Sequence, residues 1–173
     1  MGSGVSQPAA ERARPASGAA PVLFPSVAWF ECLADLMNQN RARQEQLGYV
    51  DCVVQFTVVD GSPVGTAWSA QVTFEEFAAI DVREASHEDA GRADFTIEAT
   101  LATWREMIES IAQGRGRPDL EHTLNRLSNM DTPIRVRSGD PLRRDLYFRY
   151  NQSLQEFVNA SGRFATVFPS ALR

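Results

Sequence analysis

The side chains best equipped for chemistry are few and widely spaced. The two histidines, His87 and His122, stand 35 positions apart, and neither has a Cys or His partner at metal-ligand spacing. His87 lies among Glu84, Glu88 and Asp89, where a weak surface metal contact competes with the plainer assignment of a solvated loop histidine. No metal site is therefore expected. Cys32 and Cys52 lack CxxC spacing, so they are either two small buried hydrophobes in a reducing compartment or a disulfide or reactive thiol. The acid pairs Glu75/Glu76, Glu88/Asp89 and Asp119/Glu121 abut turns or helix starts, where carboxylates cap and solubilise. Ser69 falls within an alternating stretch and has no GxSxG elbow. Gly114-Arg-Gly-Arg-Pro118 lacks the spacing of a nucleotide cradle. All 17 basic residues are arginine, which excludes Schiff-base chemistry, pyridoxal attachment and a P-loop lysine. No catalytic residues and no cofactor are expected. A small enzyme would have to use Asp51, His122 or Tyr150 as a proton shuttle, and nothing in their spacing joins them.

Periodicity defines the elements that would hold these groups. Pro25 and Ser26 precede a helix carrying Trp29, Phe30, Leu33, Leu36 and Met37 on one broad face, and the polar run 40–48 continues it to a stop at Gly48. The period then becomes two. Val50, Cys52, Val54, Phe56 and Val58 share one face of a strand, and Asp60-Gly61-Ser62-Pro63 turns the chain. The returning strand sets Trp68, Ala70, Val72 and Phe74 inward and Ser69, Gln71 and Thr73 outward, and a third strand is predicted over 77–83. After a charged loop at 86–92, Ala93-Asp94-Phe95-Thr96-Ile97-Glu98-Ala99 alternates again. Leu101, Trp104, Met107, Ile108 and Ile111 then recur at helical spacing, started by Thr100 or by a Thr103/Glu106 capping box. A second helix is predicted with a stripe at Leu120, Leu124 and Leu127. A short strand, Ile134-Arg-Val-Arg137, leads to Asp140 and Pro141, a strong helix start, and Leu142, Leu146, Tyr150, Leu154, Phe157 and Val158 follow at helical spacing. Gly162 ends that helix, and Phe164, Val167 and Phe168 form an apolar tail. The order α-β-β-β-β-α-α-β-α predicts an α+β fold with helices on one sheet face.

Length and charge narrow the function. Residues 1–22 are rich in Gly, Ala, Ser and Pro and are expected to form a disordered tail, leaving 23–173 as one domain. A net charge of −5 argues against nucleic-acid binding. No apolar run approaches the ~20 residues of a membrane span. Glu11, Arg12 and Arg14 interrupt any secretory apolar stretch, so a cytoplasmic location is expected.

The alternating segment 93–99 followed by Thr103-Trp-Arg-Glu-Met-Ile108, and Ile134-Arg-Val-Arg-Ser-Gly-Asp140 entering a helix, resembles the sterol carrier protein 2 family over most of residues 23–168. The resemblance implies a five-stranded, mainly antiparallel sheet covered on one face by helices, with an apolar tunnel between the layers. It implies a non-enzymatic carrier of one sterol, steroid or fatty acyl (CoA) ligand. Trp29, Leu33, Phe56, Trp68, Val72, Trp104, Ile108, Leu127, Met130, Leu154, Phe157 and Val158 would then line the ligand site. The same bulky residues would serve as plain core filling if no cavity exists. Arg115, Arg117, Arg135, Arg137, Arg143 and Arg144 are either a solvated face or a cationic rim meeting a carboxylate, a CoA phosphate or an anionic bilayer. A transient contact with a membrane or a lipid enzyme would accompany that role. The chain departs from the family in its all-arginine basic set and its long N-terminal tail. Two other functions fit the pattern: a ligand-free module that binds a protein partner through its apolar helix face, and a small enzyme acting on a steroid-like substrate.

Overall fold

The computed structural model describes residues 20–61, 66–86, 88–129 and 133–169. His87, Met130 and the tail up to residue 19 lie outside the described residues. A two-residue strand, β1 (Val22–Leu23), comes first. Ser26 then sits in extended backbone and its hydroxyl accepts from Trp29 N (3.1 Å), which starts α1 (Val27–Gln39). The predicted continuation to residue 48 is broken at Asn40, and α2 (Arg41–Leu47) restarts as a separate helix. The polar run has only Gln44 buried, so no apolar stripe holds it in line with α1. Gly48, at φ +103°, closes α2 in a conformation that favours glycine.

Five strands form the main sheet: β2 (Cys52–Val58), β3 (Trp68–Glu75), β4 (Ala78–Ala85), β5 (Phe95–Ala99) and β6 (Arg135–Arg137). Their order is β4-β3-β2-β5-β6, with β2–β5 parallel and the other pairs antiparallel. This is the mainly antiparallel α+β sheet expected. Alternation divides its residues cleanly: Val54, Phe56, Val72, Phe74, Phe95 and Ile97 are buried on the inner face.

Thr100 caps α3 (Leu101–Gln113) by accepting from Thr103 N, so the Thr103/Glu106 capping box does not form. Asp60, in the turn just past β2, also accepts from Leu101 N (2.6 Å), fixing the helix to the sheet. The predicted second helix is reduced to a 3₁₀ turn at 120–122 and the single turn α4 (Leu124–Leu127). The cause is local: the Asp119 carboxylate takes the N–H groups of Glu121 and His122, and Thr123 then caps Arg126 N. The stripe is lost with it, and Leu120 is 84% exposed. Asp140 and Pro141 start α5 (Pro141–Asn159) as predicted, but Leu142 is 77% exposed and the buried stripe begins at Tyr147. A last short strand, β7 (Thr166–Val167), pairs in parallel with β1, an arrangement that no periodicity announces. The buried faces of α1, α3 and α5 all contribute to one core with the inner sheet face.

Candidate functional site

Two faces of the sheet carry two different environments. On the inner face, Trp29, Leu33, Phe56, Val72, Trp104, Ile108, Leu154, Phe157 and Val158 come together in the core at 0–2% exposure, so the structure gathers most of the proposed lining set. Trp68 and Leu127 pack against its edge, half-buried. Met130 falls outside the described residues. Ring contacts connect these groups across the layer: Trp29–Phe30 at 5.0 Å, Phe30–Phe56 at 5.1 Å, Phe56–Phe157 at 6.0 Å and Phe74–Phe157 at 5.1 Å. The Trp104 indole N–H donates to Thr57 O (3.2 Å), and its ring lies beside Phe24 and Phe56. Side chains thus occupy the space beside Trp104 in this conformation.

The Trp29 end of this layer is covered by a strap, residues 164–168. Thr166 Oγ1 accepts from the Trp29 indole N–H at 3.0 Å. Val22 N donates to Ala165 O (2.9 Å) and Phe24 N to Val167 O (2.8 Å). Phe164 lies 6.1 Å from Trp29, Phe168 lies 6.0 Å from Phe24, and the Arg105 guanidinium sits 5.1 Å over the Phe168 ring. At the other end of the core, Tyr147 donates to Leu124 O (3.0 Å) and bonds Ser128 Oγ (2.9 Å), while burial pushes its phenol above the ordinary tyrosine range.

The six arginines spread over several surroundings. Arg137 pairs with Glu98. Arg143 lies 3.8 Å from Asp94, and Arg144 Nε donates to Val136 O (3.1 Å). Arg115, Arg117 and Arg135 are exposed and make no ion pair among the described residues. Arg115, Arg137 and Arg144 line three different cavities.

No hydrogen bond or ion pair among the described residues joins any two of Asp51, His122 and Tyr150. His122 Nδ1 instead lies 2.8 Å from both oxygens of Asp119, which also accepts from Ser110 Oγ (3.1 Å). Those bonds, that of His122 first, hold the Asp119 carboxyl below its usual range and serve the exposed cap. Cys32 and Cys52 are free thiols. Among the described residues no three His, Cys, Asp or Glu side chains converge as a metal set, and no helix is long and apolar enough to cross a membrane.

The outer sheet face holds what the sequence pattern did not single out. Strand register sets two rows across it: Ala85, Ser69, Thr57, Glu98 and Arg135, then Arg83, Gln71, Gln55, Thr96 and Arg137. Gln55, Gln71, Thr57, Ser69 and Thr96 are buried rather than solvated. A 3₁₀ turn at 88–92 folds over part of this face, and Gln71 Nε2 donates to Asp89 O (2.7 Å) and Gln55 Oε1 (3.0 Å) beneath it. Beside it opens a cavity of about 370 Å³, floored by Gln55, Thr57, Ser69, Thr96, Glu98 and Arg137. The available signal was composition: these outward positions are neutral Gln, Thr and Ser, where a solvated face usually carries more charge.

The chain is similar in fold to a conserved hypothetical protein of Thermus thermophilus, described as a possible sterol carrier protein, with a TM-score of 0.59, 20% identity, and coverage of 90% of this chain and 98% of that one. It is also similar to a crystal structure of sterol carrier protein 2, with a TM-score of 0.56, 20% identity, and coverage of 80% and 96%. No family model matches the sequence, and no curated protein matches it. The fold is therefore that of the sterol carrier protein 2 structures.

Proposed function

We propose that the domain spanning 23–173 is a non-enzymatic carrier of one hydrophobic ligand, a sterol, a steroid or a fatty acyl chain, bound between the inner sheet face and helices α1, α3 and α5. The observation that supports this most is the shared fold: the same sheet-and-helix sandwich, built here around a continuous aromatic and aliphatic layer. Since the described side chains of the layer pack against one another around Trp29 and Trp104, a ligand would enter by displacing the strap, taking the places of Phe164 and Phe168 against Trp29 and Phe24. Burying its apolar surface yields about 25 cal/mol per Å², partly offset by ordering of ligand and protein, so micromolar binding is expected. For a ligand with an anionic group, Arg115 and Arg117 are exposed cations without an ion pair among the described residues, whereas Arg135 lies on the outer sheet face. Most apolar residues of α1, α3 and α5 are turned into the core, with Leu142 and Phe148 of α5 left exposed, which disfavours partner binding through a broad apolar helix face.

Titration with a fluorescent sterol and a fluorescent fatty acid, followed through tryptophan energy transfer, tests the proposal. A saturable one-to-one isotherm displaced by unlabelled lipid is expected. Absence of saturable uptake for both probes, together with no lipid in organic extracts of the purified chain, would overturn it.

A further inference from the structure

We propose that the cavity on the outer sheet face binds a small, uncharged, polyhydroxylated molecule of roughly monosaccharide size, independently of any ligand held on the inner face. Its hydroxyl groups carry the inference. Thr96 is 8% exposed, lines the cavity, and makes no side-chain hydrogen bond among the described residues. The residue is nearly buried, yet solvent reaches its hydroxyl from the cavity, so its donor and acceptor are open to whatever enters there. Thr57 and Ser69, at 8% and 7% exposure, bond only each other, Oγ1 to Oγ at 2.8 Å. One of the two protons serves that bond; the second hydroxyl has a donor and no acceptor among the described residues. Three side chains from three adjacent strands thus present unused hydrogen-bonding capacity to one half-open cavity.

Charge selects the class of ligand. The ionised side chains lining the cavity are Glu98 and Arg137, which neutralise each other directly. An anion or cation would have to split that pair or be left uncompensated near Glu98, whose side chain is only 18% exposed. A neutral molecule with alternating donors and acceptors needs neither: it can take the spare hydroxyls and the remaining Glu98 oxygen together. The rest of the lining is small, with Ala67, Ala85, Ala90, Gly91 and Gly139 offering C–H surface and Ser86 and Ser138 further polar groups, a mixture that suits the C–H and O–H faces of a polyol. A Cβ built at Gly91 or Gly139 meets nothing within 4 Å, which marks open space at the mouth. The volume of about 370 Å³ lies in the lower range of small-molecule sites, about 300–1,000 Å³.

The experiment is a ¹⁵N-NMR titration of the full chain with D-glucose and with myo-inositol, with sodium acetate and glycine as charged controls. Saturable shifts at the amides of Thr57, Ser69, Thr96 and Gly139 are expected for at least one polyol. Thr96→Val keeps the shape of the side chain and removes its hydroxyl, and should weaken that binding about fivefold, the ratio for one lost hydrogen bond. Gly91→Leu should abolish it by occupying the mouth. Both variants should take up fluorescent sterol as the parent chain does, so failure here is distinguishable from failure of the carrier function. Shifts that never saturate, stronger binding of acetate or glycine, or unchanged affinity in Thr96→Val would overturn the proposal and leave a water-filled groove.

Discussion

Replacing Thr166 by Val should loosen the strap without touching the sheet. Thr166 Oγ1 is the acceptor for the indole N–H of Trp29, a side chain with 0% exposure. Val keeps the shape and removes the acceptor, so the closed state is left with a buried, unsatisfied donor at a cost of about 1–3 kcal/mol. In the open state water hydrates that N–H, and the open state bears no such cost. The opening equilibrium should therefore rise about 5- to 150-fold, each 1.4 kcal/mol being tenfold. Amide exchange reads this directly, because Val22 N and Phe24 N are bonded to Ala165 O and Val167 O and are released when the strap lifts. Both amides should exchange faster by that factor, while amides in the middle of β2 stay unchanged. A Trp29→Phe background removes the donor, and Thr166→Val should then have little effect. Unchanged exchange at Val22 and Phe24, or an equal effect of Thr166→Val in both backgrounds, would refute the reasoning.

Phe157→Ala should cost about 3–5 kcal/mol, since Phe157 is fully buried against Phe56 and Phe74, and thermal unfolding should show a fall of roughly 6–20 °C. Gly162→Ala should also lower the melting temperature, because its Cβ would lie 2.6 Å from Gly116 N, a backbone atom; Gly91→Ala, with open space around it, is the control and should leave it nearly unchanged. Burial, then the charges of Asp94 and Asp51, push the Cys52 thiol far up, and burial raises Tyr147. Both groups hold their protons more tightly in the folded state, so this stability is intact below the ordinary thiol value of about 8.5 and declines as pH rises above it, with Tyr147 adding above about 10. Urea midpoints measured from pH 7 to 10.5 should fall along that course, and Cys52→Ala should flatten the first part of the decline; equal slopes in the two proteins would contradict it.

The parts of this fold that are legible in sequence are those where one local rule decides. Alternation places Val54, Phe56, Val72 and Ile97 on one face, and the Asp140-Pro141 start of α5 needs only its own turn. Where two local rules compete, the pattern misleads. The Leu120/Leu124/Leu127 stripe has helical spacing, yet Asp119 and Thr123 supply two successive caps that cut the segment into a 3₁₀ turn and one helical turn. Where the partner is remote, nothing local signals it. Thr166 meets Trp29 across 137 positions, and the outward residues of β2, β3 and β5 become a cavity floor only because the 88–92 turn folds over the sheet. The proposed lining set was recognisable as apolar faces, but whether those faces close on one another depends on three helices docking at once.

How such a closed layer could admit a ligand follows from where its restraints lie. The sheet is held through long ladders: β2 pairs with β3 along its whole length and with β5 from Val54 to Val58. The strap, by contrast, is joined to β1 by two residue pairs, with one side-chain bond to Trp29 and a few ring contacts besides. Local opening free energies follow the number of such bonds and contacts, so the strap should open far below the global unfolding free energy. Lifting it uncovers Phe24 and Trp29 first, and Trp104 lies next to Phe24. Access to the apolar layer thus needs local release of a five-residue segment rather than separation of sheet from helices. The same geometry leaves the outer cavity untouched, because its floor belongs to strands that remain paired throughout. Occupancy of the two faces should therefore be thermodynamically independent, even though Thr57 accepts from Trp104 through its carbonyl on one side and bonds Ser69 through its hydroxyl on the other.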